Sequence, residues 1–365
     1  MKKIWILAVT AVMVFALLPN QPVAADVAPP AKPPGSSISP GQETKVRMVS
    51  ENVLMALKAG DKNTYTIEVS ADFDMKNMGV SDETMDVRFP MEHISGMGDG
   101  YFGNPKIKNF KVSVDKKTLA SQVVNEAYSE KSFAPIDWAE FNVTFPAGKR
   151  VLIHVSYTTD LQEDSKPMME YIIGTGAGWY GTIGSVAITM RLPYAASESN
   201  LAYGLSEGAV IVGKEIRWHW TDYEPQAYET VNQNIVHPTL WQEILSLESQ
   251  TGADPDDVDG VVALSKAYQQ AGSEKHGCMD NMDAAALAEI AIQQALPLHP
   301  EDLRLHQQLA EVYYWPYACF SKVDTQSETY QKLQNELGVL MALDPGNQTA
   351  VDITKKIQDA KGAGN

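Results

Sequence analysis

Three prolines, Pro255, Pro300 and Pro345, stand 45 residues apart in the last third of the chain. Around them the apolar residues recur at helical spacing. A fixed interval of this size marks stacked copies of one helical unit, and no copy can bury its apolar face alone. The copies agree in detail. Nine residues past Pro255 comes Leu264, followed by Ser265 and, three further on, Tyr268. Nine past Pro300 come Leu309, Ala310 and Tyr313 at the same offsets. Counting back from Pro300 gives Ala295, Ile292 and Ala288; counting back from Pro345 gives Leu340, Leu337 and Leu333. Small residues let one helix approach the next. A proline then ends the pair, because its ring and missing N–H cannot continue a helix.

These are the positions of the Leu-Gly/Ala-x-x-Tyr and Ala-x-x-x-Phe-x-x-Ala-x-x-x-x-Pro helices, and region 238–361 resembles a tetratricopeptide-repeat domain. The resemblance implies two repeats, 256–300 and 301–345, each a helix A followed by a helix B, with capping helices near 239–249 and 348–360. Thr354, Lys355 and Gln358 take the motif positions of the last helix, which gives a cap its wetter outer face. The resemblance also implies that the inner face of the A helices meets a protein or peptide partner. By offset, that face holds Asp259, Val262, Lys266, Gln269, Arg304, Gln307, Glu311 and Tyr314. No cluster of lysines and asparagines of the kind that clamps a peptide C-terminus is among them.

Each unit is about 11 residues longer than the usual repeat of about 34. Both place the excess between the tyrosine and helix B, in inserts near 271–281 and 316–326. The chain's two cysteines, Cys278 and Cys319, lie one in each insert. Adjacent units bring the inserts to the same edge of the stack. In an exported protein a Cys278–Cys319 disulfide is therefore expected, and the closed loop would contribute about 4 kcal/mol in the chain-entropy model. A metal site completed by His276 is the competing reading, and it is short of a ligand.

Export is predicted from the other end of the chain. Lys2 and Lys3 precede an apolar run from Ile4 to Leu18, and Val23-Ala24-Ala25 supplies the small residues of a cleavage site. This is the pattern of a secretory signal peptide over 1–25, and the run is short for a membrane span. The mature chain is expected to begin near Asp26 and to be secreted or extracytoplasmic, in the periplasm or on the cell surface. Segment 26–42, with Pro29, Pro30, Pro33, Pro34, Gly35 and Pro40, is a Pro-rich linker. A net charge of -17, from 29 basic and 46 acidic residues, argues against nucleic acid and against an anionic membrane as partners.

Between 43 and 237 the apolar period is two. Clear alternation runs over 64–73, 109–115, 150–157 and 186–192, with turn signals such as Ala59-Gly60-Asp61 and Pro146-Ala147-Gly148 between the runs. Many short strands without intervening helices predict an all-β antiparallel sandwich, one large or two small with a seam near 104, followed by the all-α repeat region. The Val87-Arg88-Phe89-Pro90 and Val143-Thr144-Phe145-Pro146 ends, the Thr175-Gly176-Ala177-Gly178-Trp179 loop and the Arg217-Trp218-His219-Trp220 strand resemble an uncharacterised secreted β-domain of bacterial envelope proteins. That resemblance carries no activity with it.

Several motifs in this half suggest chemistry. Gly204-Leu205-Ser206-Glu207-Gly208 matches a nucleophile elbow, but Ala209 to Val212 continues as a strand, where the elbow needs a helix. Gly174 to Gly181 is glycine-rich without the Lys-Ser/Thr of a phosphate loop. Trp179, Tyr180, Trp218 and Trp220 are candidate carbohydrate-stacking residues. The methionines Met48, Met55, Met75, Met78, Met85, Met91 and Met97 have no His or Cys beside them and are expected to fill the core. Asp254 to Gly260 fails as a calcium loop, since its twelfth position is Lys266. No metal, cofactor or catalytic residue is predicted. The chain is expected to be a non-enzymatic interaction or scaffold protein binding through its helices, with carbohydrate or surface-polymer binding by the β-region aromatics as the alternative and an exported hydrolase as a third.

Overall fold

The structure, a computed structural model, describes residues 38–60, 64–91, 94–95, 102–103, 107–126, 136–161, 167–226, 229–273, 282–318 and 324–362. The expected signal peptide, most of the linker, the seam at 104, and Cys278 and Cys319 with their expected disulfide lie outside the described residues.

The strands are β1 (Ser39–Pro40), β2 (Val46–Ala59), β3 (Tyr65–Asn77), β4 (Glu83–Pro90), β5 (Ile94–Ser95), β6 (Phe102–Gly103), β7 (Lys108–Val114) and β8 (Lys117–Leu119). They continue with β9 (Gln122–Glu126), β10 (Ile136–Phe145), β11 (Arg150–Asp160), β12 (Met168–Ile172), β13 (Ile183–Arg191), β14 (Val210–Val212), β15 (Glu215–Tyr223) and β16 (Thr230–Asn234). Eight of them form one sheet in the order β14-β15-β13-β2-β3-β11-β7-β8, and four form a second in the order β1-β4-β10-β9. Strands from both sides of residue 104 share each sheet.

The antiparallel expectation is overturned. β13 runs parallel to β2, with Ser185 opposite Ser50 and Arg191 opposite Ala56, so the large sheet is mixed. Alternation of period two is the same in parallel and antiparallel strands, and it carries no information about direction. A parallel pair needs a long crossover, and here most of the β region lies between its two members. The join is close at one point: a Cβ on Gly184 would stand 2.5 Å from the Val49 carbonyl oxygen, so only glycine fits there.

β3 alternates along its whole length, with Ile67, Val69, Ala71, Phe73 and Met75 buried and Glu68, Asp72 and Asp74 facing outward. The two sheets meet through rings such as Phe89 of β4, whose centroid is 5.4 Å from Tyr157 of β11 and 5.2 Å from Phe110 of β7. Met48, Met55, Met75 and Met85 are buried in this core, whereas Met78 is exposed.

Six helices follow: α1 (Pro238–Ala253), α2 (Val258–Ala271), α3 (Met282–Ala295), α4 (Leu303–Tyr314), α5 (Glu328–Leu343) and α6 (Gln348–Gly362). The proline interval appears here as helix starts: α2, α4 and α6 begin at 258, 303 and 348, each three residues past its proline. Asp257 and Asp302 accept from the backbone N–H of Gly260 and Arg304, and Asn347 accepts from Ala350, so all three starts are capped by side chains. α1 opens with Pro238 at its first turn.

The sheet core continues into the helices. Trp241 and Ile244 of α1, Tyr268 and Ala271 of α2, and Ala284 and Ala288 of α3 belong to the same buried cluster as Phe73 and Ile153. A second cluster, built on Leu305, Leu309, Leu333, Leu337, Leu340 and Ile353, holds the far end of the stack. Among the described residues no helix is long and apolar enough to cross a membrane.

Candidate functional site

The A helices α2, α4 and α6 lie side by side, and the residues placed by offset on their inner face form contacts from helix to helix. Arg304 Nη1 donates to Asp259 Oδ1 at 2.6 Å, across from α4 to α2. Its other guanidinium nitrogens hold the cap residue Asp302 at 2.6 and 3.0 Å, and this pairing keeps the Asp302 carboxyl below the ordinary carboxylate range. Further along, Gln308 Nε2 donates to Gln269 Oε1 at 2.6 Å and to Ser265 Oγ at 3.2 Å. Toward α6, the Lys356 ammonium stands 5.7 Å from the centre of the Tyr314 ring. Burial raises the Tyr314 hydroxyl pKa.

Val262 and Gln307 are half-buried on this face, and Lys266 and Glu311 are exposed. Neither Lys266 nor Glu311 has an ion pair or side-chain hydrogen bond among the described residues. Four participants were absent from the sequence-derived set, Ser265 among them. Asp302 and Gln308 sit one or two places from chosen positions, and Lys356 is the third copy of the position held by Lys266 and Glu311. Gln308 is buried to 2% exposure, yet its Oε1 has no hydrogen-bond partner among the described residues. An unpaired buried amide oxygen is costly unless something supplies a donor.

The four candidate aromatics of the β region do not form one surface. Trp179 is 4% exposed, donates its indole N–H to the Ile38 carbonyl at 2.9 Å and packs edge-on against Phe145. Trp218 is 3% exposed and donates to the Glu207 carbonyl. Both rings are core and have no face left for a sugar, which corrects the expectation for these two residues. Tyr180 is exposed with the Lys45 ammonium 4.7 Å from its ring centre, and Trp220 stacks on Tyr223. The alternation of Trp218 and Trp220 placed both on one strand face without saying which residue the neighbouring loop would cover.

Ser206 lies in a loop tied to β16: its Oγ donates to the Asn232 carbonyl at 2.7 Å and its N–H donates to Gln233 Oε1. No histidine approaches it in these bonds. Gly174–Gly178 forms a short 3-10 turn, not the opening of an α-helix. Among the described residues no group of three or more His, Cys, Asp or Glu side chains is placed to hold a metal.

No family model matches the chain, and no curated protein matches it. Solved structures with a likeness include a Legionella pneumophila protein provisionally named as nutrient binding, at 18% identity over 85% of this chain and 98% of that one, TM-score 0.45. The first TPR domain of human RPAP3 matches at 14% identity over 34% of this chain and 80% of that one, TM-score 0.26. An M1 zinc metallopeptidase from Deinococcus radiodurans matches at 9% identity over 87% of this chain and 88% of that one, TM-score 0.28. All three TM-scores lie under 0.5, so these likenesses establish neither a common function nor a common fold.

Proposed function

We propose that the chain is an exported, non-enzymatic interaction protein that binds a protein or peptide partner across the inner face of α2, α4 and α6. The observation that supports this reading is the state of that face. Asp259, Lys266, Arg304 and Glu311 are exposed, whereas the helix residues packed into the sheet core, such as Tyr268, Ala271 and Ala288, come from other positions. The lining runs across three helices and mixes exposed charge (Lys266, Glu311), an aromatic ring (Tyr314) and a buried carbonyl acceptor (Gln308 Oε1). Such a set suits an extended polypeptide, which brings backbone N–H donors and both signs of charge.

Site-specific photocrosslinking tests it. A crosslinker at position 266 or 311 of the full exported chain should trap one discrete polypeptide from envelope extracts. The control crosslinker goes at Thr118, on the edge strand β8, and should trap nothing similar. Reversing both charges (Lys266→Glu with Glu311→Lys) should cut the yield from a crosslinker at 307 at least about tenfold, the size expected when charged contacts at an interface become mismatched. Equal adducts from both faces, or none from the helices, would refute the reading.

A further inference from the structure

The two repeats treat one constellation differently on the side away from the inner face. In the second, the Tyr313 hydroxyl donates to Glu289 Oε1 at 2.9 Å, and Gln293 Nε2 donates to the same oxygen at 2.7 Å. A lysine completes the group: Lys332 Nζ of α5 lies 3.1 Å from Glu289 Oε1, 3.3 Å from Glu328 Oε1 and 5.7 Å from the centre of the Tyr313 ring. In the first repeat the equivalent tyrosine, Tyr268, again donates its hydroxyl to a carboxylate of the preceding helix, Glu248 of α1. The residue one period before Lys332, however, is Leu287. Glu248 has no cationic partner among the described residues.

Where the second repeat seats an ammonium, the first has an open cleft of about 390 Å³ between α1, α2 and α3. Its walls include Val261, Leu264, Leu287 and Ile290, and Glu248 and Tyr268 also line it. Among the described residues, Glu248 is the single charged residue of the lining. The volume is within the range of small-molecule sites. At 100° per residue, Val261, Leu264 and Tyr268 fall on the flank of α2 opposite Asp259, Val262, Lys266 and Gln269, so the cleft is separate from the inner face.

We propose that this cleft binds an aliphatic primary ammonium, presented as a lysine side chain of a bound polypeptide. The stem lies on Leu264, Leu287 and Ile290, and the ammonium pairs with Glu248 beside the Tyr268 ring. The pattern for it is in the molecule itself: Lys332 makes the same kind of contact from a neighbouring helix, anchored by its own backbone. Apolar walls and a lone carboxylate match the two parts of a lysine, whose methylene stem seeks apolar surface while its head keeps a charge. The net charge of -17 favours approach of a basic polypeptide. Glu248 is exposed, so the ion pair alone is weak, and stem burial has to supply much of the affinity.

The test uses the full exported chain with labelled Ile and Leu methyls, titrated with acetyl-Gly-Gly-Lys-Gly-Gly-amide, its Nε-acetylated form and n-butylammonium. The lysine peptide should shift the Ile290 and Leu287 methyls saturably, and the acetylated peptide should not. Glu248→Gln should raise the dissociation constant about threefold, as expected for loss of an exposed ion pair. Leu287→Lys supplies the missing ammonium in cis and should abolish the Ile290 shift. If that variant does not fold, Glu248→Gln and the acetylated peptide still decide the matter. Equal shifts with the acetylated peptide, an unchanged constant in Glu248→Gln, or tighter binding of n-butylammonium than of the lysine peptide would overturn the proposal.

Discussion

Asn77 shows how much one side chain can hold in this molecule. It ends β3 with no exposed surface, and its amide makes three bonds: Nδ2 donates to the Ser81 and Phe145 carbonyls at 2.8 Å each, and Oδ1 accepts from the Gly79 N–H at 2.7 Å. The residue thus joins the β3–β4 turn to the end of β10. Asn77→Ala should lower the free energy of unfolding by about 2–4 kcal/mol, since the buried Phe145 carbonyl, the Ser81 carbonyl and the Gly79 N–H lose their partner. Asn77→Asp keeps the acceptor but turns a carboxylate oxygen toward two carbonyls, and it should cost more than alanine at pH 7. Urea titrations of the two variants beside the parent check the order. An asparagine after a strand predicts a turn and nothing further, because the carbonyl it meets at Phe145 is 68 residues away. The same limit explains Trp179, whose cover, Ile38, is 141 residues distant. The Lys332–Leu287 contrast is present in the sequence, but its meaning depends on carboxylates that other helices bring beside it.

At the scale of elements, the sequence was most informative where the pattern is local. The 45-residue interval places the starts of α2, α4 and α6, because proline and the aspartate or asparagine cap act within a single turn. Strand direction is set by tertiary connection, and so the parallel join of β2 and β13 left no trace in the alternation. The cap of α4 also makes a pH prediction. Asp302 accepts from the Arg304 N–H and is held below its ordinary range by the Arg304 guanidinium, with the helix start adding to the preference for negative charge. A carboxyl whose folded pKa is depressed contributes stability above its unfolded value of about 4 and loses that contribution as pH falls through the folded one. Asp302→Asn retains a capping oxygen without the charge. Relative to the parent, it should be less stable at pH 7, and the gap should close on acidification below the carboxylate range. Thermal midpoints of both proteins measured from pH 7 down to pH 3 check this; a gap that stays constant with pH would deny the carboxylate its role.

Over the whole molecule, the change from period two to helical spacing near residue 238 suggests two independent bodies, yet the packing joins them. Trp241 of α1 is 5% exposed and lies between Tyr194, 6.3 Å away in the segment after β13, and Tyr268 of α2, 6.4 Å away. His237, just before α1, meets the Tyr65 ring of β3 edge-on. The Val236 N–H donates to the Asn200 carbonyl, and Asn200 is itself fully buried. A chain joined this way has one core at the junction, and the helices beside it gain stability from the sheet. Trp241→Ala should therefore cost about 3–5 kcal/mol, the usual penalty for emptying a large buried site. The loss should be felt on both sides. Hydrogen exchange followed by mass spectrometry should show the slowest amides of β3 and of α2 accelerating by the same factor, because a shared core opens as a unit. The amides of α5 and α6 rest on the second cluster of Leu333, Leu337, Leu340 and Ile353 and should change less. Acceleration confined to α1 and α2, with β3 unchanged, would mean that the sheet stands without the helices and that the junction is only a contact between two separately stable parts.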